Sequence, residues 1–178
     1  VSEILGVPYD SVHIVTGGSD VIGIGGGSHS DRSMRLGGIV MRKASDKVIE
    51  KGREIAVDLL EAAMEDITFS EGVYRVTGTD KSVGLFDVAG HAPAGEISAD
   101  SLFRGRSAAY PNGAAVSEVE IDPGTGALTV IAHTTVDDPG RAINPLILTG
   151  QAHGSIVQGI GQAIIENGYY DPDSGQLI

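Results

Sequence analysis

Residues 113–138 read GAAVSEVEIDPGTGALTVIAHTTVDD and form the clearest β pattern in the chain. Two runs rich in valine, isoleucine and threonine, which favour strands, flank the turn sequence DPGTG. Asp-Pro opens a tight turn, and Gly126 supplies the positive φ that a hairpin with a bulge requires. The stretch therefore predicts a β-hairpin.

The pattern D-P-x-x-G-x-L of this turn recurs at 171–177 as DPDSGQL. It predicts a second turn, whose return strand should begin near Ile178. At the other end of the chain, VSEILGVP at 1–8 reads as the last turns of a helix, ended by a glycine and a proline. We therefore expect residues 1–178 to be a single fragment, truncated at both ends, of a longer domain; a short final strand is the alternative.

Hydrophobic periodicity assigns most of the region before the hairpin. Residues 11–17 (SVHIVTG) predict a strand, and a glycine-rich loop follows at 18–29. An apolar stripe with helical spacing predicts one long helix over roughly 30–65. Residues 67–78 (ITFSEGVYRVTG) predict two strands joined by a turn, whereas 82–88 fits either an extended or a helical segment.

A second helix is predicted after the hairpin, with Asn144 as its N-cap and Pro145 at its first position. It should run to about Glu166. Its interior contains four glycines, each of which costs about 0.5–1 kcal/mol relative to alanine: Gly150, Gly154, Gly159 and Gly161. Such a helix indicates close approach of another backbone or of a ligand, and Gln151 offers a donor and an acceptor there. The order of elements predicts an α+β fold, with two long helices packed on one mixed or antiparallel sheet.

Composition excludes several classes of function. The formal net charge is −12 and aromatic residues are 4% of the chain, with no basic stripe, so we expect neither nucleic-acid nor membrane binding. The absence of cysteine excludes disulfides, thiolate metal sites and a cysteine nucleophile within these residues. No apolar run is long enough to span a bilayer and no signal-peptide pattern is visible, so we expect a cytoplasmic protein.

The stretch GGGSHSDRSM at 25–34 joins three glycines to the start of the long helix. Backbone N–H groups at a helix N-terminus attract anions, and the serines add hydroxyl donors, so the loop is a candidate site for an anion or a cofactor phosphate. The alternative is structural: Ser28 or Ser30 caps the helix and the glycines make a tight entry. The glycines match neither G-x-x-x-x-G-K-[ST] nor G-x-G-x-x-G, which argues against another class of nucleotide-binding domain.

The five histidines have no metal-ligand spacing, and no Ser-His-Asp arrangement is indicated. His29 lies in the glycine-rich loop, and the others are typical of packed or solvated residues. Asp137-Asp138 belongs to a turn sequence, DDPG. The spacing of these residues therefore predicts no metal ligand and no catalytic residue.

Four segments in the same order carry a resemblance to a known family: GGGSHSDRSM, YPNGAAVSEVEIDPGTGALTV, TTVDDPGRAINP and GQAHGSIVQGIGQAIIE. Together they closely resemble the molybdenum-cofactor-binding subunit of the xanthine dehydrogenase and aldehyde oxidase family, over almost the whole chain. The resemblance implies a molybdenum hydroxylase with a molybdenum–molybdopterin cofactor, often in bacteria the cytosine dinucleotide form. Such enzymes insert a water-derived oxygen at a C–H of an aldehyde or an N-heterocycle, or oxidise carbon monoxide.

The resemblance also implies the partners. Iron–sulfur clusters and FAD lie on other domains or subunits, and they accept electrons from the molybdenum site. The remainder of the molybdenum subunit and a small-molecule substrate complete the set, within an oligomeric parent enzyme.

Site residues follow from the resemblance position by position. The cofactor-contacting loop of the family matches Gly27, Ser28, His29, Ser30, Asp31, Arg32 and Ser33, and its pterin-contacting glutamine matches Gln151. Several relatives carry Ser or Gly where this chain has Asp31, so that acid is expected to cap the helix rather than to touch a phosphate.

The resemblance places the family's general-base glutamate in a Gly-Glu segment after the glycine-rich helix. Gly95-Glu96 precedes that helix, so we assign no catalytic residue and expect the isolated chain to be inactive. The alternative function is a non-catalytic assembly module of the same fold that binds only partner chains.

Overall fold

A computed structural model of the chain describes residues 1–22, 25–105 and 110–178. The chain forms two compact units, Val1–Ser107 and Ala108–Ile178. Helices and antiparallel strands occur in both, which confirms the predicted α+β class. The described strands form two antiparallel sheets, a three-stranded one in the first unit and a two-stranded one in the second.

The first unit is built around one long helix and a small sheet. Its helices are α1 (Ser2–Leu5), α2 (Arg32–Leu60) and α3 (Leu85–Gly90), with 3-10 turns at Tyr9–Ser11 and Met64–Asp66, and its strands are β1 (Ile67–Ser70), β2 (Val73–Val76) and β3 (Ser82–Gly84). The sheet order is β1-β2-β3, with both pairs antiparallel. Residues 82–88 were expected to be either extended or helical, and each prediction is correct for part of the segment, because β3 passes directly into α3.

Two predicted elements of this unit differ from the structure. The strand predicted at 11–17 is wrong: the 3-10 turn occupies its start, and Ile14 and Val15 are 72% and 95% exposed. An alternating pattern forms a strand only where a neighbour supplies a ladder, and none does so here among the described residues. The long helix ends at Leu60 rather than near 65, because Glu61 adopts a left-handed φ of 47°. Gly23 and Ile24 of the predicted loop and 106–109 of the connection lie outside the described residues.

The core of the first unit is formed where α2 meets the sheet. Its buried members come from α2, the three-stranded sheet region and α3: Ala56, Leu60, Ile67, Tyr74, Val76, Leu85 and Val88. Tyr74 is fully buried, and its hydroxyl donates a hydrogen bond of 3.0 Å to the carbonyl oxygen of Ile49. Phe69 packs on its ring with centroids 4.7 Å apart. Tyr74 therefore links β2 to the middle of α2.

Ionisation of Tyr74 is expected to destabilise this unit at alkaline pH. Burial raises the pKa of Tyr74 to about 12; Arg53 opposes the shift and Glu50 adds to it. The phenol of the unfolded chain ionises near pH 10, so the stabilisation is complete below about pH 10 and is lost as the pH rises towards 12. We expect the free energy of unfolding in urea to fall more steeply between about pH 10 and 12 in the wild type than in Tyr74→Phe. Equal slopes for the two proteins would contradict this assignment.

The second unit contains the predicted hairpin and the glycine-rich helix. Its elements are β4 (Asn112–Ile121), β5 (Leu128–Asp138) and α4 (Pro145–Ile164). The two strands pair antiparallel, with a register shift at Glu118/Val119. Asn144 is the N-cap as predicted, and its side-chain oxygen accepts from the N–H groups of Leu146 and Ile147.

Both DP-x-x-G turns have the same geometry. Asp122 Oδ1 accepts from the N–H groups of Gly124 at 2.7 Å and Thr125 at 3.1 Å. Asp171 Oδ1 accepts in the same way from the two N–H groups at the equivalent positions. These hydrogen bonds lower the pKa of each aspartate. The second turn closes a short hairpin through a bridge between Tyr170 and Leu177, so its return strand begins before Ile178.

Candidate functional site

The glycine-rich loop enters α2 through an exposed, unusual backbone. Residues 25–31 are exposed throughout. Gly27, Ser30 and Asp31 have φ values of 72°, 50° and 57°, in the left-handed region. That conformation suits glycine, but it is strained by roughly 1 kcal/mol or more at each of the other two residues. The surrounding contacts must therefore hold the loop in this shape.

Three contacts provide that support. The hydroxyls of Ser28 and Ser33 lie 2.6 Å apart, which joins the loop to the first turn of α2. Arg32 Nη1 donates to the carbonyl oxygen of Gly26 at 2.9 Å, and the Arg32 N–H donates to the carbonyl oxygen of His29 at the same distance. The loop is thus folded back over the residue that begins the helix.

No side chain caps α2. Asp31 occupies the N-cap position and its carbonyl oxygen accepts from the Arg35 N–H, but its side chain makes no capping bond. Asp31 is thus the N-cap residue as expected, but its carboxylate does not bond to the N–H groups of the first turn. Ser28 and Ser30 contact other side chains instead of the first-turn N–H groups, so the purely structural alternative for these serines is wrong. The first turn keeps N–H groups that the cap does not satisfy.

The glycines leave the backbone of the loop accessible. A Cβ added at Gly25 would meet nothing within 4 Å, and one at Gly27 only the edge of the His29 ring. At Gly26 an added Cβ would lie 2.2 Å from the Arg32 guanidinium. The Arg32 guanidinium therefore occupies the space that a side chain at residue 26 would need, while a Cβ at residue 25 or 27 would have open space among the described residues.

Together these features give the loop the chemistry of an anion or polar-ligand site. Hydroxyls of Ser28, Ser30 and Ser33, the His29 imidazole and the N-terminal dipole of α2 lie within one short segment. Arg32 adds positive charge in a chain whose net charge is −12. The seven loop residues predicted from the sequence, 27–33, are consecutive, and the structure places them at the exposed start of α2.

Gln151 belongs to the other unit, in the second turn of α4. It is exposed, and its side chain makes no hydrogen bond within the described part of the chain. Added Cβ atoms at Gly150, Gly154 and Gly159 would meet nothing within 4 Å. The close approach that the glycines indicate is therefore not made by the described residues, and this surface of α4 is open.

One polar cluster was not singled out by the sequence. Ser117 Oγ and His133 Nδ1 lie 2.7 Å apart across the β4–β5 pair, and Thr135 Oγ1 donates to Asp137 Oδ2 at 2.6 Å. These side chains line a cleft of about 380 Å³ shared with α4 residues such as Ser155. Alternation along β5 puts 133, 135 and 137 on one face, but only the register brings Ser117 opposite His133.

Two classes of feature are missing from the residues the structure describes. No three His, Cys, Asp or Glu side chains converge as a metal-binding group there. Similarly, none of the helices in the described ranges has the length and apolar character needed to cross a membrane.

Comparison with known proteins finds relatives that match nearly the whole chain. The gamma subunit of the 6-hydroxypseudooxynicotine dehydrogenase complex of Paenarthrobacter nicotinovorans is 36% identical, across 100% of this chain and 23% of its own length. The nicotine 6-hydroxylase large subunit of the same organism is 32% identical, across 99% of this chain and 23% of its own length. The crystal structure of quinoline 2-oxidoreductase from Pseudomonas putida 86 superposes with a TM-score of 0.84 and 34% identity. The match covers 99% of this chain and 24% of that chain.

The chain thus spans about a quarter of the length of the relatives it matches. Residues 1–178, the whole chain, match the family described as the molybdopterin cofactor-binding domain. With this match over every residue, the chain belongs to the molybdopterin cofactor-binding domain family.

Proposed function

We propose that residues 1–178 form part of the wall that holds a molybdenum–molybdopterin cofactor in an oxidoreductase of the molybdenum hydroxylase type. The match of the entire chain to the molybdopterin cofactor-binding family is the observation that carries this proposal. The cofactor, when bound, supplies the metal centre at which a water-derived oxygen is inserted into a substrate C–H bond. The residues of this chain bind and orient that cofactor.

The loop before α2 fits the polar, anionic part of such a cofactor. Its donors are neutral hydroxyls and backbone N–H groups, and its one guanidinium is already tied to Gly26. Such a set holds a phosphate through hydrogen bonds and the helix dipole, without a cluster of lysines and arginines. We assign contacts with the cofactor to Gly27, Ser28, His29, Ser30, Arg32 and Ser33, and a backbone role to Asp31.

Gln151 fits the edge of a pterin ring. Its amide provides both donors and an acceptor, which matches the alternating donors and acceptors of a pterin. Gly150 and Gly154 beside it leave room for a flat ring system against the helix backbone. We assign these contacts to the organic part of the cofactor, whose ring edge the amide of Gln151 complements.

For the parent enzyme we propose an N-heteroaromatic substrate rather than an aldehyde. The relatives reported above are named for 6-hydroxypseudooxynicotine, nicotine and quinoline, which all contain a nitrogen heteroaromatic ring. We further propose a cytoplasmic, oligomeric enzyme whose iron–sulfur and FAD centres lie on other domains or subunits. The catalytic base is expected outside these residues: Glu96 precedes α4 in an irregular, exposed segment.

The proposal is tested by the molybdenum and pterin content of the purified full-length protein. Gln151→Ala should lower both about tenfold, as expected for the loss of two hydrogen bonds to the ring. Gln158→Ala is the matched control, since it changes the same residue type on the exposed surface of α4 two turns further on. Wild-type protein with neither molybdenum nor pterin would favour the alternative, an assembly module. Equal losses in the two variants would refute the role of Gln151.

A further inference from the structure

An extended segment lies along α2 without forming regular structure. Residues 97–103, here called the strap, follow α3 and precede the end of the first unit at Ser107. Their exposure alternates: 97, 99, 101 and 103 are half-buried, whereas 98, 100 and 102 are exposed. This two-residue period indicates an extended chain with one side packed and the other in solvent.

Three lysines of α2 hold the strap. Lys51 Nζ donates to the carbonyl oxygen of Ser98, and Lys47 Nζ to that of Asp100, both at 2.7 Å. A third lysine, four residues before Lys47, places its ammonium 5.5 Å from the centroid of the Phe103 ring, a cation–π contact.

The spacing of the three lysines along α2 matches the spacing of alternate residues along the strap. Lys43, Lys47 and Lys51 follow one another at intervals of four residues, which is about 6 Å along a helix. Two residues of extended chain cover about 6.5 Å. An antiparallel strap therefore offers a carbonyl oxygen to Lys51 and then to Lys47, and the Phe103 ring follows near Lys43. We call the three lysines the lysine ladder.

Burial of the strap is only partial. Ile97 packs against the core cluster, but Leu102 is 70% exposed. No backbone hydrogen bond involves residues 97–103 within the described part of the chain. The ladder thus supplies most of the strap's polar contacts, in contrast to the tightly packed region around Tyr74.

We propose that the strap is a separately opening segment that the lysine ladder holds closed. Segments with few apolar contacts open at a much lower free energy than the core, and here the charges of exposed lysines set that free energy. Neutralisation of the ladder releases the strap while the core stays folded. This inference is independent of the cofactor.

Limited proteolysis of the full-length protein tests the proposal. Chymotrypsin cleavage after Phe103 reports opening of the strap, and cleavage after the fully buried Tyr74 reports global unfolding. The double variant Lys47→Met/Lys51→Met should speed cleavage after Phe103 about tenfold, with cleavage after Tyr74 unchanged.

Two further variants serve as controls. Arg42→Met removes one positive charge from α2 at a residue paired with Asp46 rather than with the strap, so cleavage after Phe103 should stay at the wild-type rate. Lys47→Arg/Lys51→Arg keeps the charged donors and should also remain near it. An unchanged rate in the double methionine variant would overturn the proposal. Equal acceleration after Phe103 and Tyr74 would also overturn it, because the strap would then open only with the core.

Discussion

Replacing Gly52 by alanine is expected to destabilise the first unit by about 2–3 kcal/mol. The added Cβ would lie 2.0 Å from the hydroxyl oxygen of Tyr74 and 2.8 Å from its Cζ atom. The ring cannot yield easily, because it is fully buried, packed against the tilted ring of Phe69 and hydrogen-bonded to Ile49. Overpacking and loss of that buried hydrogen bond outweigh the roughly 1 kcal/mol that alanine gains over glycine in a helix.

Gly37→Ala is the matched control for this prediction. Gly37 also lies in α2, and a Cβ there would meet nothing within 4 Å. It should therefore stabilise the protein by about 0.5–1 kcal/mol through helix propensity alone. Urea unfolding followed by circular dichroism measures both changes. In the Tyr74→Phe background, Gly52→Ala should cost less, since the nearest atom is gone. A Gly52→Ala protein as stable as the wild type would contradict this account of the core.

Replacing Arg32 by alanine is expected to lower the molybdenum and pterin content of the full-length protein tenfold or more. The Arg32 guanidinium ties the loop to the helix start through the carbonyl oxygen of Gly26 at 2.9 Å. Without this tie, the strained left-handed residues Ser30 and Asp31 are free to relax, which disperses the donors that we assign to the cofactor. The loop is exposed, so the thermal stability of the protein should change little.

Two variants separate the structural role of Arg32 from a general effect of charge. Arg42→Ala removes the same residue type from α2, at a position paired with Asp46, and should leave the cofactor content unchanged. Arg32→Lys keeps the charge but loses the fork of donors, so an intermediate content is expected. Wild-type cofactor content in Arg32→Ala would contradict the proposed role of the loop contact.

The parts of the fold that the sequence predicted correctly rest on short-range signals. The DPGTG turn and the Asn144–Pro145 helix start are each specified within a few residues, by a carboxylate or amide that bonds to nearby N–H groups. The strand predicted at 11–17 was wrong because a strand needs a partner, and alternation alone does not provide one. The end of α2 was misplaced because the apolar pattern runs past Leu60, while the backbone turns at Glu61.

The sequence by itself determined the family, through four motifs in a fixed order, and the position of the loop and of Gln151 within them. Only the tertiary structure decided how Tyr74 covers Gly52, how Ser117 meets His133 and how α2 holds the strap. These contacts join residues far apart in the chain, 25 positions for Tyr74 with Ile49 and 53 for Lys47 with Asp100. Their partners are chosen by the register of strands and the packing of helix faces, which no local pattern specifies.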